Sequence, residues 1–379
     1  MFRMLFKLDW VLICVVLFLL SVGLLALYSL SASGGVNYFL KQLTFSVLGL
    51  GTMFFMVGVD YRYVQKYSTI LYFVTMLILL LVLVFGTTVN GTAGWLSLGI
   101  FQVQPVEIAK VTLIIFLASF ISKKKSELGE WARVIASLIL TAMLIMLVLR
   151  QPDLGSSLVL AAIWAGMILA SGLRWKHLIV LLFLGMVFVS GSWFTLADYQ
   201  KARIDTFLHP ESDPQGTGYN VLQAMVAVGS GGISGKGLGY GSQSQLSFLP
   251  EKHTDFIFAV VAEELGLAGA LFVIALYGVL LYRIWRIASL ANDNFGYLLA
   301  LGVMIMIFFQ VLVNVGMNIG LLPVTGLPAP FLSYGGSSLL SIFLSMGLIL
   351  NVYLKKKAEG DHRLSLERSF LDDDKTGVF

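Results

Sequence analysis

The chain has 379 residues, 58% of them hydrophobic and 12% charged, with a net charge of +4 and a mean hydropathy of +0.88. Soluble proteins carry about 25% charged residues, so this composition excludes a soluble globular domain and indicates a polytopic membrane protein. The small net charge gives no reason to expect nucleic-acid binding. The single Cys14, inside the first apolar run, excludes an internal disulfide and a cysteine-based metal site.

A transmembrane helix needs about 20 consecutive apolar residues. The sequence predicts an all-α fold of about ten such spans, near 10–30, 39–59, 68–85, 105–122, 132–150, 154–172, 177–196, 255–282, 296–318 and 335–354. The first follows Arg3 and Lys7 without a small-residue cleavage site and reads as a retained span. Arg62, Lys66, Lys123, Lys124, Lys125, Arg133, Arg174, Lys176, Arg283, Arg286 and Lys355 to Lys357 fall on the same side as Arg3 and Lys7, whereas the short loops of the other side offer only Lys41 and Arg150. Basic loops face the cytoplasm, so both termini are expected there. The single membrane domain is expected to cover 1–357, with 358–379 a polar, unstructured cytoplasmic tail.

The outer loop 86–104 precedes the fourth span, which opens "QPVEIAK". Pro105 suits a first helical turn. Glu107 and Lys110, at i and i+3, share a face; they form either a self-neutralising pair or a lysine available to an anionic head group. The sixth span opens "RQPDLGSS", where Asp153 is a helix cap or a site acid. The longest outer loop, 197–254, lies between spans seven and eight. Connections of this length are commonly functional or unstructured. Its "YNVLQAMVAV" suits a short interfacial helix. Its "GSGGISGKGLGYGSQSQ" fails as a Walker A loop, because Ser230 and Gly237 stand where a Gly and a Ser or Thr are needed around Lys236. The glycines are expected to permit tight turns and close approach of backbone to a ligand or membrane. Lys201, Arg203, Lys236, Lys252 and His253 add positive charge to this loop.

The eighth span begins in "LPEKHTDFIFAVVAEELG" (249–266). At about 100° per residue, Ala259, Ala262, Gly266 and Gly269 fall within roughly 40° of Asp255. That face is either a groove below an acid at the membrane surface or a close helix–helix contact with Asp255 in a first-turn role. Glu263 and Glu264 lie about 12 Å deeper and point in different directions, which suits structural or supporting pairing. Asp255, Glu107, Lys110, Asp153 and Arg150 all gather at outer span ends, whereas charged-solute transporters place polar groups near the midplane. Chemistry on a lipid-linked head group at the outer boundary fits this depth.

"QPVEIAK", "QPDLGSS", "HPESDPQGTGYNVLQAMVAVGSGGISGKGLG", "SQSQLSFLPEKHTDFIFAVVAEELG" and "LPVTGLPAPFLSYGGSS" together resemble the SEDS family (shape, elongation, division and sporulation) of bacterial membrane glycosyltransferases, nearly end to end. The long loop looks more like that of the elongation members than of the division members. The resemblance implies a peptidoglycan polymerase acting on lipid II and a lipid-linked glycan strand. It implies ten spans, surrounding membrane lipids and a class B penicillin-binding protein as transpeptidase partner. It carries the family's essential acid onto Asp255, the Glu–Lys pair onto Glu107 and Lys110, and a further acid onto Asp153. Arg203, Lys236, His253 and Thr254 are further candidates for substrate contact, with Glu263 and Glu264 as supporting acids. Two positions depart from the pattern. Gly94 precedes Trp95 where relatives usually have Arg, and Val106 follows Pro105 where relatives often have Ser. The first removes an anchor for an outer-face anion. A divalent cation (Mg or Mn) is compatible with the chemistry, and no residue pattern demands it. A precursor flippase and a non-catalytic cell-wall scaffold are the competing readings; polymer formation from lipid II in detergent separates them from an enzyme.

Overall fold

The computed structural model describes residues 7–32, 37–89, 92–98, 101–123, 130–172, 217–246 and 248–376. The expected seventh span and Arg203 lie outside these residues. The described helices are α1 (Trp10–Ala32), α2 (Tyr38–Gly58), α3 (Tyr61–Lys66), α4 (Ser68–Phe85), α5 (Pro105–Ser122), α6 (Glu130–Leu149), α7 (Leu154–Ala170), α8 (Thr217–Ser230), α9 (Ser242–Gln245), α10 (Ile257–Ser289), α11 (Asn294–Asn318) and α12 (Gly336–Thr376). Among the described residues, eight helices are long and apolar enough to cross a membrane, and α7 is an apolar helix of 17 residues. These match nine of the ten expected spans.

The arrangement follows from how apolar side chains are shared between protein and lipid. The span of α5 is 78% buried, against 28% for α2, α4 and α6. α5 sits centrally, packed by α4, α7, α11 and α12, while α2 packs mainly on α12 and shows its other side outward. α1 lies against α10, and α10 against α11.

Three features differ from the expected detail. The 86–104 loop carries a three-stranded antiparallel sheet, a local addition to a fold that is otherwise helical. Its strands are β1 (Thr87–Val89), β2 (Thr92–Leu98) and β3 (Phe101–Val103), with Thr87 opposite Trp95 and Leu96 opposite Val103. Thr, Val, Trp and Phe favour strands, and pairing satisfies backbone groups at the membrane surface. The backbone of α12 stays helical to Thr376, beyond Ala358 where the sequence suggests an unstructured tail. Leu, Glu, Lys and Arg are good helix formers, and a helix already nucleated in the membrane extends at low cost.

The third change matters most for the site. α10 is broken at Gly266, whose φ of 70° and ψ of −168° leave the helix. Backbone groups released by a break inside a membrane need new partners. The glycine-rich segment supplies them. Lys236 N donates to Glu263 O and Gly237 N to Glu264 O, both at 3.0 Å, while Leu267 N donates to Gly232 O at 2.9 Å. A Cβ at Gly235 would stand 2.2 Å from Glu264 O, so this approach excludes a side chain. The glycines therefore bring backbone to a broken helix of the same chain. The face below Asp255 is correspondingly filled: Ala259 and Ala262 are buried, and Gly231 packs against Ala262 O.

The end of the bundle far from Asp255 is tied by polar contacts. Asn351 Nδ2 donates to Val57 O at 2.7 Å and its Oδ1 accepts from Tyr61 N at 3.1 Å. Tyr61 Oη donates to Asp293 Oδ2 at 2.5 Å, and Lys355 pairs with Asp60.

Candidate active site

The sequence predicts Asp255 in the first turn of the eighth span. The structure places it in a turn two residues ahead of α10. Glu251 begins that turn with φ of 48°, a left-handed conformation uncommon for a residue with a side chain. Its carbonyl gathers three backbone donors: Thr254 N and Asp255 N at 3.1 Å and Phe256 N at 3.3 Å. From the other side, two fully buried amides of α11 fix the Asp255 carbonyl. Asn314 Nδ2 reaches it at 3.0 Å and Asn318 Nδ2 at 3.1 Å. Asn314 Nδ2 also donates to Leu327 O at 2.8 Å, and Asn318 Oδ1 accepts from Ala259 N at 3.0 Å. The small-residue face of the helix start thus packs on α11, and Asp255 has its main chain clamped from two elements.

The segment before α12 lies over this turn. Ser333 Oγ donates to Thr254 O at 2.6 Å, and Tyr334 N to His253 O at 2.9 Å. Gly326, at φ of 73°, passes so close that a Cβ there would meet Asp255 Oδ2 at 3.7 Å. Between turn and segment opens a cavity of ≈ 190 Å³. Asp153, Glu251 and Asp255 put carboxylates on its wall; Thr254, Thr325, Tyr334, Ser337 and Ser338 bring hydroxyl-bearing side chains. Trp95 from β2, Gln104 and Pro328 complete much of the wall. No Lys, Arg or His is among the described residues lining it.

Asp153 serves two ends. Its Oδ1 caps α7 by accepting from Ser156 N at 2.9 Å, and its Oδ2 accepts from Gln104 Nε2 at 3.3 Å at the cavity wall. Asp153, Thr254 and Asp255, far apart in sequence or joined only by a turn, therefore meet in one place. His253 flanks the cavity without lining it. It stacks on Tyr38 with ring centroids 4.1 Å apart, and burial pulls its pKa below the usual histidine value, with Glu251 opposing the shift. Burial likewise lowers Lys252, whose Nζ donates to Ser244 O, and raises the Tyr334 phenol, with Tyr38 adding to the effect.

The remaining candidates stand elsewhere. Lys110 is fully buried and donates to Glu107 Oε1 at 2.7 Å, while Glu107 Oε2 accepts from Ser341 Oγ at 3.4 Å. The pair does not line the cavity: Glu107 lies one helical turn past the lining Gln104, and its partner Ser341 one turn past the lining Ser338. Lys236 Nζ is bound to Glu263 Oε1 and Ser242 Oγ, each at 2.9 Å. Glu263 also accepts from Gln243 N and Ser244 N at 2.9 and 3.0 Å. Glu264 accepts from Ser29 Oγ at 2.6 Å and Gln245 Nε2 at 3.0 Å. Both acids tie the 236–245 segment to the helix break, and Glu264 also ties it to α1. Gly94, where an anion anchor is missing, faces Gln151.

Sequence reasoning missed Glu251, Gln104, Thr325, Tyr334, Ser337 and Ser338 as lining residues. Thr325 stands apart: only 7% exposed, its Oγ1 has no hydrogen-bond partner among the described residues. Buried hydroxyls are normally paired; this one, its oxygen sealed from solvent behind the cavity wall, is not. The "LPVTGLPAP" context of Thr325, dense in Pro and Gly, was the one available signal of a special loop.

Residues 7–358 match the family model FtsW/RodA/SpoVE, described as cell cycle protein. The chain is 40% identical over 351 residues to peptidoglycan glycosyltransferase MrdB of Escherichia coli K12, covering 92% of this chain and 94% of that protein. It is 38% identical over 356 residues to stage V sporulation protein E of Bacillus subtilis 168, covering 91% and 96%. Among solved structures it resembles one described as "Structural coordination of polymerization and crosslinking by a peptidoglycan synthase complex", with a TM-score of 0.78, 32% identity, and coverage of 92% of this chain and 98% of that chain. It also resembles Thermus thermophilus rod shape determining protein RodA, with a TM-score of 0.69, 30% identity, and coverage of 92% and 97%. A mostly helical polytopic chain with this site and these likenesses belongs to the FtsW/RodA/SpoVE family of cell cycle proteins.

Proposed function

We propose that this protein is a peptidoglycan glycosyltransferase that polymerises lipid II into β-1,4 glycan at the outer face of the bacterial cytoplasmic membrane during cell elongation. The observation that carries this reading is the Asp255 carboxylate, on a doubly clamped turn, at the wall of a hydroxyl-rich cavity. Basic residues concentrate in the loops of the opposite end, which supports an outward-facing site with both termini in the cytoplasm.

In this mechanism Asp255 accepts the proton of the acceptor's N-acetylglucosamine 4-hydroxyl. The oxygen attacks the anomeric carbon of the donor N-acetylmuramic acid, and the bond to pyrophosphate breaks. Undecaprenyl pyrophosphate leaves with the bonding pair, and the α-linked donor becomes a β-linked glycan. One positioned base suffices when the leaving group is stable as an anion. The acid-rich lining suits a neutral sugar better than a pyrophosphate. Positive charge for the leaving group is therefore assigned to Arg150, exposed two residues before the cavity-lining Pro152, with Arg203, outside the described residues, as the candidate the long loop offers. A divalent cation is a second source. No group of three or more His, Cys, Asp or Glu residues able to hold a metal ion occurs among the described residues. The wall does offer the carboxylate oxygens Mg²⁺ uses when one or two carboxylates and substrate phosphates share it. Lys110 and Lys236, candidates for substrate contact in the sequence, are each paired with a glutamate and are assigned instead to support of the fold. A class B penicillin-binding protein as partner agrees with the crosslinking complex that the fold resembles.

Purified protein and lipid II in detergent test this reading, because translocation has no meaning there. Glycan polymer is expected from the wild type. Absence of polymer with and without a transpeptidase partner would return the flippase and scaffold readings.

A further inference from the structure

At the end of the bundle opposite Asp255, α1, α10 and α12 enclose a second cavity of ≈ 450 Å³. Asp9, Arg283, Arg286, Tyr353 and Lys356 supply its polar wall, and Ile287 part of its apolar floor. The charges do not balance. Asp9, almost fully buried, caps α1 by accepting from Leu12 N at 3.1 Å with Oδ1, and its Oδ2 accepts from Arg283 Nε at 3.1 Å and from Nη2. That carboxylate is consumed by Arg283. Arg286 and Lys356 face the same space with no ion-pair partner among the described residues, since the nearby Asp60 is taken by Lys355. Tyr282 and Trp285, exposed on the same turn of α10 as Arg286, are the residue types that mark the head-group layer of a bilayer.

Two unpaired cations, a phenol and an apolar floor, between helices and at head-group depth, have the chemistry of a lipid phosphate site. We propose that this cavity binds the phosphate of an anionic phospholipid of the inner leaflet, held by Arg286 and Lys356 with the Tyr353 hydroxyl as a further donor. Basic pockets between helices on the cytoplasmic side take anionic head groups, and the negative leaflet there supplies them. The site is separate from the polymerisation cavity, and its occupancy does not depend on what Asp255 does.

Native mass spectrometry of the full chain, from mixed micelles of phosphatidylglycerol and phosphatidylethanolamine, tests the proposal. The wild type is expected to retain phosphatidylglycerol in preference, and Arg286→Gln with Lys356→Gln to reduce that retention by about 30-fold. Millimolar inorganic phosphate is expected not to displace the lipid. Equal retention by wild type and double variant overturns the proposal. Displacement by inorganic phosphate also overturns it, because the cavity is then a soluble-anion site. Should the double variant fail to purify, Lys356→Glu alone, at a half-buried position, is read the same way.

Discussion

Among the residues lining the cavity, Thr325 is the one with a buried polar side-chain atom left unpaired within the described residues. Its hydroxyl oxygen is sealed from solvent and unpaired just behind the cavity wall, an arrangement that costs stability unless substrate entry shifts the wall and pairs it. Thr325→Val should therefore keep or raise the melting temperature while lowering lipid II polymerisation by about tenfold, the worth of one hydrogen bond. Thr325→Ser should stay near wild type. Loss of stability in the valine variant with full activity would make Thr325 a packing residue. Glu107 and Lys110 make the opposite case. Removing one partner of a buried ion pair costs about 3–5 kcal/mol, so Glu107→Gln should destabilise strongly, whereas Glu107→Leu with Lys110→Met should recover most of the loss. Thermal unfolding measures the first effect. Polymerisation by the double variant measures the second: recovered activity marks the pair as scaffold, and lost activity in a stable double variant marks it as part of the reaction. At this scale the motifs "HTDF" and "QPDLGSS", through the family resemblance, pointed to Asp255, Asp153 and Thr254, since an acid at a span end alone is equally a helix cap. Glu251, Thr325 and Ser337 stayed hidden, since a loop hydroxyl or a loop acid is ordinary until something folds over it.

The element that organises the site is the broken α10. Gly266 ends its first segment in a backbone conformation that is essentially restricted to glycine, and a Cβ there would stand 2.3 Å from Gly235 N. Gly266→Ala should destabilise by at least about 1–3 kcal/mol and reduce activity through the displaced turn at Asp255. Gly278, in a regular part of the same helix where a Cβ would meet nothing within 4 Å, is the control: Gly278→Ala should be neutral or stabilising by up to about 1 kcal/mol. Equal effects at both positions would deny the break its role. The spans were readable from hydropathy because length and apolarity are local properties. The break was not, since Gly266 at i+11 from Asp255 also satisfies a small-residue helix face, and only contact with the 229–241 glycines distinguishes the two. The sheet of β1 to β3 escaped for a related reason: strands of three residues carry too little alternation to read.

Across the whole molecule, the two ends differ in kind. One gathers carboxylates and hydroxyls from the cap of α7, the turn before α10, the segment before α12 and the first turn of α12 around a cavity of ≈ 190 Å³; the other gathers paired and unpaired cations around α1, α10 and α12. The charge bias of the loops makes this polarity visible in the sequence itself. The meeting of Asp153 with Asp255 was not visible, because it depends on how α7 and α11 pack. The central claim is that Asp255 is the base of a polymerase at the outer end. Its most direct test is lipid II polymerisation by purified wild-type and Asp255→Asn proteins of equal thermal stability. A fall of about 10²–10⁴-fold in the variant is predicted; polymer formed at the wild-type rate would contradict the account.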